Sequence, residues 1–379
     1  MLKPRTIPGG TCAGAGSQDI AHRFGRSRDT AQLPHMRFRA IERALPSKLV
    51  TNNEMIELVL ASSETVLPKG ELPILATRIR ALFQTCKTDV RYHRSPGETA
   101  LDLGLRAGRQ ALERARMDCG DIDLLLYVGV GRGFIEPATA TVFQSSLGLV
   151  NATAFDILDA CASWLRALQI AYTFINAGTY RNVMILNSEC NREYGNLCFK
   201  SLDDLSFRFP ALTIGEAATA TVITGSPGMT DSYFSFRTWG AEHTLCKIPL
   251  PHYREFSLGE RLDPMAPLEF FSFGELLFRS ACEKLIEHFR QDPVLSAFRS
   301  DHVFGHAASD RLTERVARQL GLTAPYLTHA RFGNTVSASI PLGMSEARRE
   351  GGLSVGDSVL LGCGSAGVTT GWACFRYEE

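Results

Sequence analysis

The segment FDILDACASWLRALQIAYTFINAG, residues 155–178, carries the most reactive arrangement of side chains in the sequence. An apolar strand ends, Asp159-Ala160-Cys161 turns a corner, and an apolar helix starts at once. A cysteine at that corner meets unpaired backbone N–H groups and the positive end of a helix dipole. Both favour the thiolate, the nucleophilic form of the side chain. Ala160 and Ala162 are small enough to let a substrate carbonyl come close. Strand-to-helix corners of this kind hold nucleophiles in other enzymes. Taken alone, the segment fits a buried core cysteine equally well, because free cysteine is commonly buried.

The elements that must position this corner are legible around it. Residues 98–116 place Leu101, Leu105, Leu112 and Ala115 at helical spacing, with Gly108 on the same face. A turn at Gly120-Asp121 leads into the apolar run Leu124–Val128, which reads as a buried strand. Ala154–Leu158 is a second strand, Ala162–Asn176 a helix closed by Gly178, and Val183–Leu186 a third strand. This βαβ rhythm predicts a partly parallel sheet covered by helices. Further on, Phe273–Phe289 reads as a helix and Val303-Phe304 as the end of a strand. Leu312–Leu320 is helical, with Ser309 or Asp310 as N-cap, and Ser337–Glu350 is a helix. Val359–Leu361 and Ala373–Tyr377 are strands. Strand–helix units in both halves predict a duplicated α/β architecture. The irregular stretch Pro249–Phe270 suits a lid or a pocket wall.

Bulk composition excludes several functions. The chain has 379 residues, 45% of them hydrophobic, so it can bury a large core as one domain or two fused halves. Lys+Arg and Asp+Glu both number 40, which argues against nucleic-acid or acidic-membrane binding. The 10 cysteines form no CxxC pair and none lies near a His pair at ligand spacing, so no structural metal is expected. Their scatter fits a reducing compartment, and the cytoplasm is the expected location. No apolar run approaches the ~20 residues a membrane span requires. Residues 1–35 are rich in Gly and Arg without a periodic apolar face, and lack the h-region of a signal peptide. They read as a disordered extension, an upstream start or an expression remnant.

DACASW around Cys161 resembles the active-site segment of beta-ketoacyl-ACP synthase III and its relatives in the thiolase superfamily. The likeness runs from about Met36 to the C-terminus. GHAASDRL at 305–312 resembles the family's catalytic-His segment and places the His at His306. RFGNTVSASIP at 331–341 resembles the catalytic-Asn segment, with Asn334 as the Asn, and LLGCGSAGVTTGWACFRY resembles the Gly-rich loop and last strand. The resemblance implies a thiolase-like duplicated αβαβα layered fold. It assigns the nucleophile to an N-terminal half, residues 36–230, and the His and Asn to a C-terminal half, residues 231–379. One departure stands inside the His motif. Relatives often carry Gln and Asn after the His, whereas this chain has Ala307-Ala308-Ser309, so the hydrogen bonds supporting His306 must differ.

The resemblance implies a two-stage reaction. Cys161 takes an acyl group from a thioester, with the N–H groups of Cys161 and Gly367 expected as the oxyanion donors. A carbanion from a second thioester then attacks, its enolate held by His306 and Asn334. In the synthase III relatives that enolate arises by decarboxylation of a malonyl thioester. GRGFIEPATATVFQSSLGL, residues 131–149, resembles instead a loop of the acyl-CoA thiolases of bacterial olefin biosynthesis. There a Glu reaches the partner subunit's site as a base, and Glu136 is the matching residue. The alternative for Glu136 is a solvated loop carboxylate. If it is functional, a homodimer is required and burial beside Cys161 should raise its pKa.

Phe83 and Lys87 fall where relatives stack adenine between Trp and Arg, a weaker pair that favours a carrier protein over free coenzyme A. The same two residues also suit a core ring and a surface cation. No cofactor is implied; coenzyme A or phosphopantetheine thioesters are substrates. Competing readings are acyl transfer from Cys161 to a hydroxyl or amine, a non-catalytic partner subunit, and a hydrolytic cysteine enzyme.

Overall fold

The sheet whose last strand leads into the nucleophile's corner has five strands in the order His35–Ala44, Ala217–Ser226, Asn182–Glu189, Leu124–Val128 and Thr153–Ile157. Leu124–Val128 runs parallel to both of its neighbours, and the other two pairings are antiparallel. A second sheet has the order His302–Gly305, Ser358–Ser365, Thr369–Arg376, Tyr233–Thr238, parallel only at its first pairing. The computed structural model describes residues 35–226, 232–256 and 266–379. The expectation for residues 1–35 falls, except for His35, outside them, as does the middle of the Pro249–Phe270 stretch.

Five layers follow from which faces are apolar. Leu124, Leu126 and Val128 point into a central core shared with helices Ser163–Asn176 and Ser339–Arg349. Leu125 and Tyr127 point the other way, against outer helices Ala100–Ala115 and Thr139–Leu147. On the second sheet Val359, Leu361 and Cys363 join the same central core, while Leu360 faces helices Gly274–Gln291 and Asp310–Leu320. Strands apolar on both faces must be covered on both sides, which is why the run Leu124–Val128 shows no polar alternation. The result is an αβαβα stack, the layered fold the motifs implied.

Helix Ala100–Ala115 buries Gly108, Leu112 and Ala115 as its spacing suggested, but its first two turns face inward differently. Leu103, Gly104, Ala107, Gly108 and Ala111 are buried, while Leu101 and Leu105 lie at the margin of the core. Small residues win the contact because a Cβ on Gly104 would meet the Phe143 ring at 2.4 Å. Packing distance, not hydrophobicity alone, set the orientation. Among the described residues no helix is long and apolar enough to cross a membrane.

Candidate active site

Cys161 lies in the short turn Ala160–Ala162, directly ahead of helix Ser163–Asn176. The corner is strained: Ala160 has φ of 44°, a left-handed conformation that costs a non-glycine residue about 1–3 kcal/mol. Several bonds hold it. The Ser163 hydroxyl accepts from Asp159 N–H at 2.8 Å and donates to the Ala160 carbonyl at 2.7 Å. Ser365, the last residue of second-sheet strand Ser358–Ser365, donates to the Asp159 carbonyl at 3.1 Å and accepts from Ala162 N–H at 3.3 Å. The nucleophile's corner is therefore tied to a segment two hundred residues away. The helix position was expected to favour a thiolate, and the environment opposes it. Burial pushes the Cys161 thiol well above its ordinary 9.0; Cys363, Cys246 and Glu189 add to the rise, and a backbone hydrogen bond from Ala366 opposes it. The protonated thiol is the resting form.

His306 follows the edge strand His302–Gly305, and its backbone N–H continues the pairing onto the Gly362 carbonyl at 3.0 Å. Its Nδ1 is 2.9 Å from the Ser339 hydroxyl, which itself donates to the Val336 carbonyl. Burial pushes His306 down to about 4; nearby His329 adds to the fall and a hydrogen bond to the Val336 carbonyl opposes it. The imidazole is neutral at physiological pH. Asn334 arrives on a backbone clamp: its N–H donates to the Thr213 carbonyl at 2.8 Å and its carbonyl accepts from Gly215 N–H at 3.0 Å. That approach needs glycine, since a Cβ at Gly215 would sit 1.9 Å from the Phe332 carbonyl oxygen. Asn334 Oδ1 accepts from Val336 N–H at 3.0 Å, so the amide presents its Nδ2 donor instead. Val336 pays with a φ of 50°. The Val336–Ala338 turn packs on the Ala160–Ala162 turn, bringing the Cys161, His306 and Asn334 segments together.

Two supporting residues escaped the sequence reading. Glu189, fully buried at the end of strand Asn182–Glu189, accepts from the N–H groups of Val130, Gly131 and Ser337, from Asn191 Nδ2 and from the Ser337 hydroxyl. It joins the loop after Leu124–Val128 to the turn carrying Asn334. A carboxylate closing an apolar strand between Asn187 and Asn191 was the available signal. Ser339 was visible only as one serine in a serine-rich helix start. Beside His306 an apolar cavity of about 80 Å³ opens between helices Gly274–Gln291 and Asp310–Leu320, with Phe278, Ala281, Cys282 and Leu312 among its walls.

Of the remaining expectations, the adenine-stacking role of Phe83 needs correction. Gly367, expected as the loop's oxyanion donor, holds a φ of 124° that requires glycine, and the thiol itself takes a hydrogen bond from the Ala366 N–H one residue earlier. Phe83 is 1% exposed, with the Arg91 guanidinium 4.7 Å from its ring and Phe209 5.4 Å away, so it offers no face to an adenine. Lys87 is exposed and paired with Glu314 at 2.7 Å. Glu136 is exposed on its loop, where both a solvated carboxylate and a group reaching the site of a second copy of the chain would lie.

The family described as 3-oxoacyl-[acyl-carrier-protein (ACP)] synthase III matches residues 155–240, and its C-terminal family matches residues 296–377. A beta-ketoacyl-[acyl-carrier-protein] synthase III from Sulfurimonas denitrificans is 28% identical, covering 90% of this chain and 98% of the relative. One from Clostridioides difficile is 29% identical over 74% of this chain and 84% of its own. Among solved structures, 3-oxoacyl-[acyl-carrier-protein] synthase III from Aquifex aeolicus superposes with a TM-score of 0.73 at 22% identity, covering 90% of this chain and all of that one. Cerulenin-bound OleA from Xanthomonas campestris gives 0.77 at 18% identity, covering 91% and 98%. At such identities the structural matches speak for the fold.

Proposed function

The chain belongs to the synthase III-like condensing enzymes of the thiolase superfamily, and from that premise we propose that it carries an acyl group on Cys161 and condenses it with a second thioester. The observation that carries this reading is the convergence of a nucleophile, a neutral imidazole and an amide donor on one turn, Val336–Ala338. A hydrolase would have no use for the clamped amide.

In the first step Cys161 Sγ attacks the thioester carbonyl and the carrier sulfur leaves as a thiolate, which takes its proton from solvent. Because Ser339 donates to the Val336 carbonyl, it accepts from His306 Nδ1–H, and the lone pair of Nε2 takes the thiol proton. The N–H groups of Cys161 and Gly367 hold the oxyanion, and one such donor is worth roughly 3 kcal/mol in the barrier. In the second step His306, now protonated, and Asn334 Nδ2 donate to the enolate oxygen of the incoming thioester. The carbanion displaces sulfur from the acyl carbonyl, and a β-keto thioester leaves with Cys161 regenerated.

The enolate comes from decarboxylation of a malonyl thioester or, if Glu136 acts, from deprotonation of an acyl thioester. Glu136 requires a second copy of the chain. The outermost strand Thr153–Ile157 pairs on one side only, and beside it Val150 and Leu158 are 77% and 61% exposed, with Ile135 of the Glu136 loop at 76%. An apolar sheet edge of this kind suits a homodimer. With Phe83 buried and so no platform for adenine, the carrier proposed for the thioester is an acyl-carrier protein.

The test is intact-mass analysis of wild type and Cys161→Ala with acyl-coenzyme A and acyl-carrier protein panels, with and without a malonyl donor. An adduct on wild type alone, discharged as a β-keto product, is expected. No adduct from any donor, or one that Cys161→Ala retains, sinks the reading.

A further inference from the structure

The turn that carries His306 continues Ala307-Ala308-Ser309-Asp310, and two alanines have no side chain with which to hold it. The hold comes from His329, five residues ahead of Asn334 and fully buried. Its Nδ1 lies 2.8 Å from the Ala307 carbonyl and its Nε2 2.6 Å from the Thr88 hydroxyl. A carbonyl only accepts, so Nδ1 bears the hydrogen and Nε2 accepts from Thr88; both ring nitrogens are used by the neutral form. Asp310 completes the join from the other side. Its carboxylate oxygens accept from His329 N–H at 3.0 Å and Ala330 N–H at 2.9 Å. The His329 carbonyl in turn accepts from Gly333 N–H at 2.8 Å, directly before Asn334. Burial, with the Arg91 guanidinium adding to it, pushes His329 down to about 4 and keeps the ring in that neutral form.

We propose that His329 is a positioning residue that locks the His306 turn to the Asn334 turn, so that the two enolate-binding groups are held as one unit. The inference rests on the condensing reading above. Acylation of Cys161 uses His306 without Asn334, whereas condensation needs both at a fixed separation. Losing the lock therefore weighs on the second step, where misplacement by an ångström costs about 100-fold.

Three variants of the full chain separate positioning from folding. His329→Leu removes both ring bonds. His329→Asn places an amide N–H near the position of Nδ1 and keeps the Ala307 bond, while His329→Gln reaches toward Thr88 instead. Acylation is followed by intact mass and condensation by product release from preformed acyl-enzyme. The expected result for His329→Leu is a condensation rate lower by about 30-fold, with acylation slowed by about threefold or less. His329→Asn should recover most of the condensation rate and His329→Gln should not. Equal losses in both steps, or recovery no better with Asn than with Gln, would overturn the proposal. If His329→Leu does not fold, the Asn and Gln pair still decides it. Wild type that acylates but forms no β-keto product would instead overturn the condensing reading itself.

Discussion

The hydroxyl of Ser339 sits 2.9 Å from His306 Nδ1 while spending its own proton on the Val336 carbonyl. A hydroxyl that has donated elsewhere can only accept, so the imidazole carries its hydrogen on Nδ1 and turns a lone pair outward at Nε2. Ser339→Ala removes the acceptor that selects this tautomer. Both acylation and condensation should slow by about 10- to 100-fold with little loss of fold, as monitored by single-turnover kinetics and circular dichroism. Unchanged rates would mean that the Val336 carbonyl alone selects the tautomer.

Cys161 should behave as a thiol at neutral pH. Its alkylation by iodoacetamide, followed by peptide mapping, is expected to accelerate steadily with pH and still be rising above 9.0, because burial outweighs the helix terminus. A plateau below about pH 8 would show instead that the helix dipole wins.

Glu189→Gln puts an amide N–H where several donors already converge. A buried carboxylate with this many partners is costly to replace, and a loss of about 3 kcal/mol is expected in urea unfolding. A loss below about 0.5 kcal/mol would show that Glu189 does not hold the two loops together.

If Glu136 acts across a dimer, Cys161→Ala and Glu136→Ala chains complement each other. Each mixed dimer regains one intact site, so random association should restore about a quarter of wild-type activity in the reaction without malonyl donor. Full activity of Glu136→Ala on its own in that reaction would make the residue a loop carboxylate and leave decarboxylation as the carbanion source.

Stability should fall in mild acid. His288, His306 and His329 are each pushed from 6.5 to about 4, chiefly by burial, so the unfolded chain binds protons that the folded chain refuses. The stabilisation is complete above 6.5 and declines as pH drops from there toward 4. Urea midpoints across that window should show the slope, and His329→Leu should flatten it. A flat wild-type profile would mean that these imidazoles protonate without leaving the fold.

Much of the architecture was readable because it rests on local patterns. Leu124–Val128 reads as a strand because an apolar run bounded by turns has few other uses, and helix Ser163–Asn176 ends where Gly178 takes a φ of 69°. Cys161, His306 and Asn334 were legible as motifs, each a short contiguous segment. Phe83 was misassigned because its role rests on counting along a motif. Only packing decides whether a ring is a platform or part of the core.

The sequence alone thus pointed to the layered fold through its family resemblance, to the corner of Cys161 through periodicity, and to Cys161, His306 and Asn334 as candidates through contiguous motifs. Tertiary structure alone decided their chemical state. The tautomer of His306 depends on a serine 33 residues away, and the thiol's protonation on burial among Cys246, Cys363 and Glu189. The turns of His306 and Asn334 are locked by a histidine whose partners lie 22 and 241 residues off. Hydrogen bonds and desolvation act through space over a few ångströms, and no local pattern records which distant residues the fold will bring that close.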